Sequence, residues 1–347
     1  MNNNRLSSID LLRTIAIIIM IIANSSPYIL ALPHSIGLRI ISSLAAPLFI
    51  FLSGYSFFVS FHKKPNYKHK YIQIFYLFIS AMLLDALVWH IRPLHTFDVL
   101  YLIAFGLVVN TIIFKLKLYL KMIIAILFIS ASFLLQTAFD YRFSLPDPVF
   151  DKISLSHITW GSLFEIKRFL MDGWFPLFPW VGIAILGQIM AAKSELIAKH
   201  KNILIGVCSF LFFFLGYFVL NQESSTPERQ GYLEVFYPPS ILFLTFALSF
   251  IILLLALFNT LELINLPKYK IISILGRNSL LMYIFHSAVI SYVFQNYFTV
   301  VSPVLFASVM LIFILTCVFI AFLAEWAEKK GKLKFVPGAI KSILGLK

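Results

Sequence analysis

Long apolar segments recur along the chain, and they constrain its fold more than any other feature. Ten of them are each about 20 residues long, the length that crosses ~30 Å of hydrocarbon as a helix. The chain of 347 residues is 60% hydrophobic and only 12% charged, whereas soluble domains are about a quarter charged. The predicted fold is therefore an all-α, polytopic integral membrane bundle of about ten transmembrane helices. The predicted spans are residues 9–31, 36–61, 71–90, 97–114, 118–138, 173–192, 202–221, 238–260, 278–297 and 302–326.

The distribution of basic residues predicts how these spans are oriented. Most of the 28 Lys and Arg residues lie in one alternate set of inter-span loops, which includes both termini. By the positive-inside rule both termini are predicted to be cytoplasmic, and an even number of spans agrees with this. We expect one transmembrane domain over residues 1–347, in a bacterial-type inner membrane and without a cleaved signal peptide. Residues 327–347 are expected to form a basic, amphipathic cytoplasmic tail on the anionic inner leaflet.

The net charge of +13 does not indicate a nucleic-acid partner. The basic residues lie in short loops between spans rather than on a soluble domain, so membrane orientation explains them better. Cys208 and Cys317 both lie within apolar segments, which makes a structural disulfide improbable. The sequence contains no phosphate-binding loop and no His/Cys cluster with metal-ligand spacing, so no metal is expected.

Three polar residues interrupt the first apolar segment and share one helix face. Asp10 and Arg13 are three residues apart, and Asn24 follows Arg13 by eleven, steps that return a helix to nearly the same side. Ionisable groups within a membrane span are costly and usually face a bundle interior or a water-filled cavity. Asp10 and Arg13 are expected to pair with each other in a structural role. This polar stripe is the strongest indication of function in the sequence.

Three separated stretches of the chain carry a resemblance to one known family. They are RLSSIDLLRTIAIIIMIIAN with SSLAAPLFIFLSGYSF near the N-terminus, GWFPLFPWVGIAILG at Gly173–Gly187, and LGRNSLLMYIFH at Leu275–His286. Their order resembles the heparan-α-glucosaminide N-acetyltransferase family. The resemblance implies a polytopic enzyme that passes an acetyl group from cytosolic acetyl-CoA to a sugar amine on the other side of the membrane. Acetyl-CoA is accordingly the expected co-substrate.

His34 and Asn24 are the first two candidate catalytic residues. The resemblance places the catalytic histidine in the loop after the first span, where His34 lies. Imidazole titrates near neutral pH, so His34 can act as the general base that deprotonates the acceptor; a covalent acyl-imidazole is the alternative, and the sequence leaves both open. Asn24 can donate its amide N–H to the thioester carbonyl as an oxyanion-hole group, although interhelical hydrogen bonds by such residues are common.

His286, within a late span, is the third candidate catalytic residue. Ser279 and Met282 precede it by seven and four residues, which places all three on one helix face. A buried histidine is often a hydrogen-bonded core residue, but inside hydrocarbon that explanation weakens. The resemblance also places a histidine here.

Four residues are candidates for binding the acyl donor. Arg277 and Asn278 open the span that contains His286, and Ser279 follows them; a helix N-terminus beside an arginine suits the phosphates of CoA. Arg13 can also face a CoA phosphate. The helix rises ~16 Å from Arg13 to Asn24, so the polar stripe could guide the pantetheine arm across the membrane.

The remaining candidates have weaker signals. Asp85, His90 and Trp180 are candidate substrate-binding residues on the acceptor side. Pro47 and Gly54 share a face of the second span and are predicted to have a structural role as walls of a tunnel. Two external segments, residues 140–172 and 222–237, combine carboxylates with aromatic residues and are either an acceptor-binding rim or solvated connectors.

The sequence thus predicts a membrane acyltransferase that moves an acetyl group from acetyl-CoA to an amine or hydroxyl of an extracytoplasmic sugar or glycan. The alternative is a transporter or flippase for a small glycan or lipid-linked sugar, since intramembrane Asp, Arg and His also fit a transport pathway. A sensor or scaffold without chemistry is a third, weaker interpretation. Expected partners are acetyl-CoA, the sugar acceptor and membrane lipid, and a second copy of the chain is a further candidate.

Overall fold

The computed structural model describes residues 3–138, 166–220, 239–260 and 272–346. All regular elements within these ranges are helical. They are α1 (Asn3–Ile29), α2 (Ile36–Ser43), α3 (Ala45–Lys63), α4 (Tyr67–Leu83), α5 (Val99–Ile112), α6 (Leu118–Ala138), α7 (Leu177–Ala192), α8 (Ser194–Lys199), α9 (Lys201–Leu220), α10 (Ile241–Thr260), α11 (Ile274–Arg277), α12 (Ser279–Val289), α13 (Gln295–Tyr297), α14 (Pro303–Lys329) and α15 (Gly338–Leu344).

Short turns of other helix types extend several of these elements. Leu84–Trp89 continues α4 and Ile290–Phe294 joins α12 to α13, both as π-helix, and Arg168–Asp172 forms a third π turn. Most of the predicted external segment 140–172, and all of 222–237, lie outside the described residues. Their predicted role at an acceptor-binding rim therefore stays a prediction.

Seven helices in the described part of the chain are long and apolar enough to cross a membrane. They are Ser8–Ile29, Ile36–Lys63, Tyr67–Trp89, Leu118–Ala138, Lys201–Val219, Ile241–Phe258 and Pro303–Lys329. Val99–Lys115 and Leu177–Ala192 are shorter apolar helices, and the predicted span 278–297 corresponds to α12, the π turn and α13. The protein is an integral membrane protein whose described residues form helices alone as regular elements, as predicted. The number of ten spans and the cytoplasmic location of both termini stay predictions.

The chain forms two compact units. The first comprises Met1–Phe49 and Ser194–Lys347, and the second comprises Ile50–Lys193, so that their boundary falls within α3. The prediction of a single catalytic domain is not tested by this division.

In the first unit, α1 is the central element and packs against α2, α10, α11, α12 and α14. Leu12, Ile17 and Ile21 on α1 are completely buried. The contact with α11 is the closest one, because Gly276 lies directly against the backbone carbonyl of Asp10, where a Cβ atom has no room. The Gly276 N–H donates to the Thr14 hydroxyl at 3.0 Å. Only glycine permits this approach.

The end of α1 is tied to the loop before α14 by backbone hydrogen bonds. The Val301 N–H donates to the Ile29 carbonyl at 2.9 Å, and the Ala31 N–H donates to the Val301 carbonyl at 3.2 Å. Leu30 and Val301 form an isolated parallel β-bridge. This pairing holds the segment that leads into the His34 loop.

In the second unit, α5 packs against α4 and α7, and α6 packs against α7. Gly54 on α3 lies against the Ala184 backbone, and Gly187 lies against the Phe51 carbonyl. Gly54 is therefore a close-packing position between α3 and α7. Trp180 is completely buried in this unit.

The C-terminal tail leaves α14 at Lys329 and ends in the short helix α15. The Lys332 ammonium lies 4.4 Å from the centre of the Trp326 ring, while the Phe335 side chain is 94% exposed. Gly345, after α15, lies against the Leu280 side chain near the start of α12. The tail thus combines lysines with an exposed aromatic ring, and its contact with the inner leaflet stays a prediction.

Candidate active site

Asn24 and His286 meet inside the first unit, although they are 262 residues apart in the chain. The Asn24 amide nitrogen lies 3.1 Å from His286 Nε2. The other ring nitrogen, His286 Nδ1, lies 3.0 Å from the Met282 carbonyl oxygen, one helical turn earlier on α12. His286 is completely buried, whereas Asn24 is partly accessible. Two of the three candidate catalytic residues are therefore in direct contact.

His34 lies in the loop between α1 and α2 and is partly accessible. Its Nε2 is 3.3 Å from the Leu30 carbonyl oxygen. A carbonyl oxygen only accepts, so Nε2 carries the proton and donates. The neutral ring consequently has its lone pair on Nδ1, and no described residue bonds to that atom.

The surroundings of His34 favour its neutral form. Partial burial lowers the pKa of His34 from its ordinary value of 6.5, the Leu30 carbonyl raises it, and the nearby positive charge of Arg39 lowers it again. The net pKa shift is downward. At neutral pH the ring therefore keeps a free lone pair, which is what a general base or a nucleophile needs.

Asp10 and Arg13, the other two residues of the polar stripe on α1, form the expected ion pair. Arg13 Nη1 lies 3.3 Å from Asp10 Oδ1. The Asp10 backbone carbonyl also accepts a hydrogen bond from Thr14 Oγ1 at 3.0 Å. The ion pair lowers the free-energy cost of placing two charges in a span. Only Nη1 of the Arg13 guanidinium bonds to Asp10.

Arg277 has a partner that the sequence interpretation missed. Its guanidinium makes a two-point ion pair with Glu325 on α14, at 2.9 Å from Nε to Oε1 and 3.3 Å from Nη2 to Oε2. Arg277 also donates to Ser273 Oγ at 2.5 Å, and Asn278 donates to Glu325 at 3.2 Å. The predicted donor-binding arginine is thus held by a carboxylate, and Ser279 follows two residues later as the first residue of α12.

The candidate substrate-binding residues lie in the second unit. Asp85 is buried, and its Oδ2 accepts a hydrogen bond from the Tyr101 hydroxyl at 2.7 Å. His90 is exposed and has a left-handed backbone, with φ of 54°. Trp180 packs its ring 5.9 Å from that of Phe175 and is completely buried, so it does not present a surface to a ligand in this conformation.

Two residues of these clusters, Glu325 and Tyr101, were not identified from the sequence. Glu325 could have been identified from the sequence, because an acidic residue near the end of an apolar span usually has a partner. Tyr101 had none, since a tyrosine in an apolar helix is a common packing residue.

The N-terminal two thirds of the chain match a known family. The sequence profile described as "Heparan-alpha-glucosaminide N-acetyltransferase, catalytic" matches residues 5–224. The chain belongs to the heparan-alpha-glucosaminide N-acetyltransferase family. The resemblance noted from the three motifs is confirmed, and the protein is in general terms a membrane acetyltransferase. A search of curated proteins finds no match.

The matched range contains only part of the candidate site. Asn24 and His34 lie within it, as does the Asp10–Arg13 pair, whereas Arg277 and His286 lie beyond residue 224. The contact between Asn24 and His286 therefore joins the family's catalytic region to the C-terminal part of the chain.

Proposed function

We propose that the protein transfers an acetyl group from cytosolic acetyl-CoA to an amine or hydroxyl of an extracytoplasmic sugar or glycan. The observation that carries this proposal is the partly accessible Asn24 amide, which is bonded to His286. The same unit contains His34, whose Nδ1 has no hydrogen-bond partner among the described residues. An amide donor and a neutral imidazole are two groups that acyl transfer from a thioester requires.

His34 is proposed to act through Nδ1. As a general base, Nδ1 takes the proton of the acceptor N–H or O–H while the acceptor attacks the thioester carbonyl carbon. The new C–N or C–O bond forms, the C–S bond breaks, and the CoA thiolate leaves and takes up a proton. As an acyl carrier, Nδ1 would itself attack the carbonyl and pass the acetyl group on. Both routes use the same atom.

Asn24 is proposed to stabilise the negative charge that develops on the thioester oxygen. Removing one such donor typically lowers kcat by about 10²–10³. Partial accessibility of the Asn24 side chain suits this role, because the donor must reach it.

The donor-binding group is proposed to comprise Arg13, Arg277, Asn278 and Ser279, at the ends of spans that we predict to be cytoplasmic. Each arginine is paired with a carboxylate, and a CoA phosphate would add charge-assisted hydrogen bonds to the same guanidinium groups. Asp85 and His90 stay candidates for hydrogen bonds to sugar hydroxyls.

A direct test is acetyl transfer from acetyl-CoA to glucosamine by purified protein in proteoliposomes. His34→Ala should abolish transfer while CoA binding persists, since a loop side chain contributes little to packing. His200→Ala, which removes an exposed histidine from a turn between α8 and α9, is the matched control and should transfer at the parental rate. Near-parental transfer by His34→Ala would refute the proposed mechanism.

The same proteoliposomes also test whether the protein is a transporter instead of an acetyltransferase. A glycan transporter would move unmodified sugar without any acetyl-CoA, and its rate would not depend on His34. If the parent protein shows sugar flux but no acetyl transfer, the transporter interpretation is the correct one.

A further inference from the structure

We propose that His286 is a positioning residue that fixes the orientation of the Asn24 amide, so that the second N–H of that amide faces the thioester carbonyl oxygen. The inference rests on the proposed function. The inference goes beyond the proposed function in two ways. It names the atom of Asn24 that acts, and it names the residue that orients this atom, which lies outside the part of the chain matched to the family.

The hydrogen bonds of His286 determine its tautomer. Nδ1 lies 3.0 Å from the Met282 carbonyl oxygen, which can only accept, so Nδ1 carries the proton. In a neutral imidazole the other nitrogen, Nε2, is then an acceptor. It receives a hydrogen bond from the Asn24 amide nitrogen at 3.1 Å.

This tautomer determines which way the Asn24 amide points. Nδ2 must face His286, because the amide oxygen would put two acceptors together. The Asn24 side chain makes no other hydrogen bond to the described residues. One Nδ2–H and the oxygen Oδ1 are therefore left for a ligand, and the N–H is the one that can stabilise an oxyanion.

The same bonds leave His286 without a free nitrogen. Both ring nitrogens are occupied, and the residue is completely buried. It can neither take a proton from a substrate nor give one without losing its hold on Asn24 or on Met282. The Tyr283 ring packs against the His286 ring in a T-shaped arrangement, with ring centroids 5.2 Å apart and planes at 78°, and restricts its rotation. We therefore assign His286 a positioning role rather than a direct part in acid–base chemistry.

Two substitutions separate the two hydrogen bonds of His286. His286→Gln keeps an acceptor at the position of Nε2, and His286→Asn keeps a donor at the position of Nδ1 but has nothing to hold Asn24. We expect His286→Gln to retain most of the parental kcat for acetyl transfer. His286→Asn should lower kcat by about 10- to 100-fold, the size of effect that a misplaced catalytic group has, with little change in the KM for acetyl-CoA.

A double-mutant cycle shows whether His286 acts through Asn24. In an Asn24→Ala protein there is no amide to orient, so His286→Asn should cause no further loss of kcat. The proposal is overturned if His286→Asn slows the Asn24→Ala protein as much as the parent, or if His286→Gln is as slow as His286→Asn.

A second readout does not depend on catalysis. In lipid-reconstituted protein with ¹⁵N-labelled histidine, the signals that disappear in His286→Gln belong to His286. They should show a neutral ring with the proton on Nδ1, and the Nε2 signal should shift in Asn24→Ala. A proton on Nε2 would overturn the orientation at any level of activity. If the NMR result is as expected but the parent transfers no acetyl group, the proposed function is wrong, and the catalytic half of this inference fails with it.

Discussion

At the scale of single residues, the two candidate histidines differ in how many ring nitrogens are free. His34 donates from Nε2 to the Leu30 carbonyl, and no residue in the described ranges bonds to its Nδ1, whereas both nitrogens of His286 are bonded. Both were predicted to be catalytic because the family resemblance places a histidine at each of these positions. Only their hydrogen-bond partners separate a residue that can exchange a proton from one that holds a neighbour in place.

The pKa of His34 makes a prediction about the pH dependence of the reaction. A base acts in its unprotonated form, and the downward shift of the His34 pKa keeps that form dominant at neutral pH. The rate of the chemical step should therefore stay constant from about pH 8 to pH 7 and fall only below about pH 6.5. Single-turnover acetyl transfer across this range measures it.

The Asn24→Ala protein is the control for this pH profile, because an amide does not titrate. It should be slower at every pH and show the same midpoint. The acceptor in this experiment is a sugar hydroxyl, because the amine of glucosamine itself takes up a proton near neutral pH. With that acceptor, a rate that already falls between pH 8 and pH 7 would contradict the assignment of His34 as the base.

Residue pairs within one helix were predictable, and pairs between helices were not. The Asp10–Arg13 ion pair follows from a spacing of three residues, which places two side chains on one face. The Asn24–His286 contact and the Arg277–Glu325 pair join different helices. Helical periodicity describes the faces of a single element, so it contains no information on which faces meet.

At the scale of elements, apolar length predicted the helices well. The structure places helices in all ten predicted segments, because each segment must satisfy its own backbone hydrogen bonds in hydrocarbon. The π turns were not predictable. One carries Asp85 at the end of α4 and another follows α12 after His286; such turns add one residue without changing the apolar pattern.

The contact between α1 and α11 makes a prediction about stability. Gly276→Ala should destabilise the protein by about 1–3 kcal/mol, since the added methyl group meets the Asp10 carbonyl and must push the helices apart. Thermal unfolding in detergent measures this. Gly206→Ala on α9 is the matched control, because nothing lies within 4 Å of the added atom; its melting temperature should be unchanged or slightly higher.

Activity should fall with stability in the Gly276→Ala protein, because the displaced helix α11 leads directly into α12, which carries His286. A Gly276→Ala protein that melts at the parental temperature would show that this helix contact is not as close as the structure describes.

At the scale of the whole molecule, the orientation in the membrane decides from which side each substrate arrives. Acetyl-CoA is cytosolic in the proposed function, so the donor-binding arginines must face the cytoplasm, and the His34 loop must face the opposite side. The charge bias between alternate loops supports this arrangement.

Two positions at opposite ends of one span test the orientation. Gly37 is the second residue of the candidate span Ile36–Lys63, and Lys64 lies directly after its other end. Both residues are exposed. Single cysteines introduced at each position should react differently with a membrane-impermeant maleimide added to intact cells: Gly37→Cys should be labelled and Lys64→Cys should not. The parent is a suitable background, because Cys208 and Cys317 are buried.

Permeabilised cells provide the control for this experiment, and there both cysteines should react to the same extent. If only Lys64→Cys is labelled in intact cells, the topology is the reverse of the predicted one. It would also place the His34 loop on the cytosolic side with acetyl-CoA, so that an acetyl group would no longer have to cross the membrane to reach the base. Transfer to an extracytoplasmic sugar would then be excluded, while the chemistry proposed for His34 and Asn24 could still operate on a cytosolic acceptor.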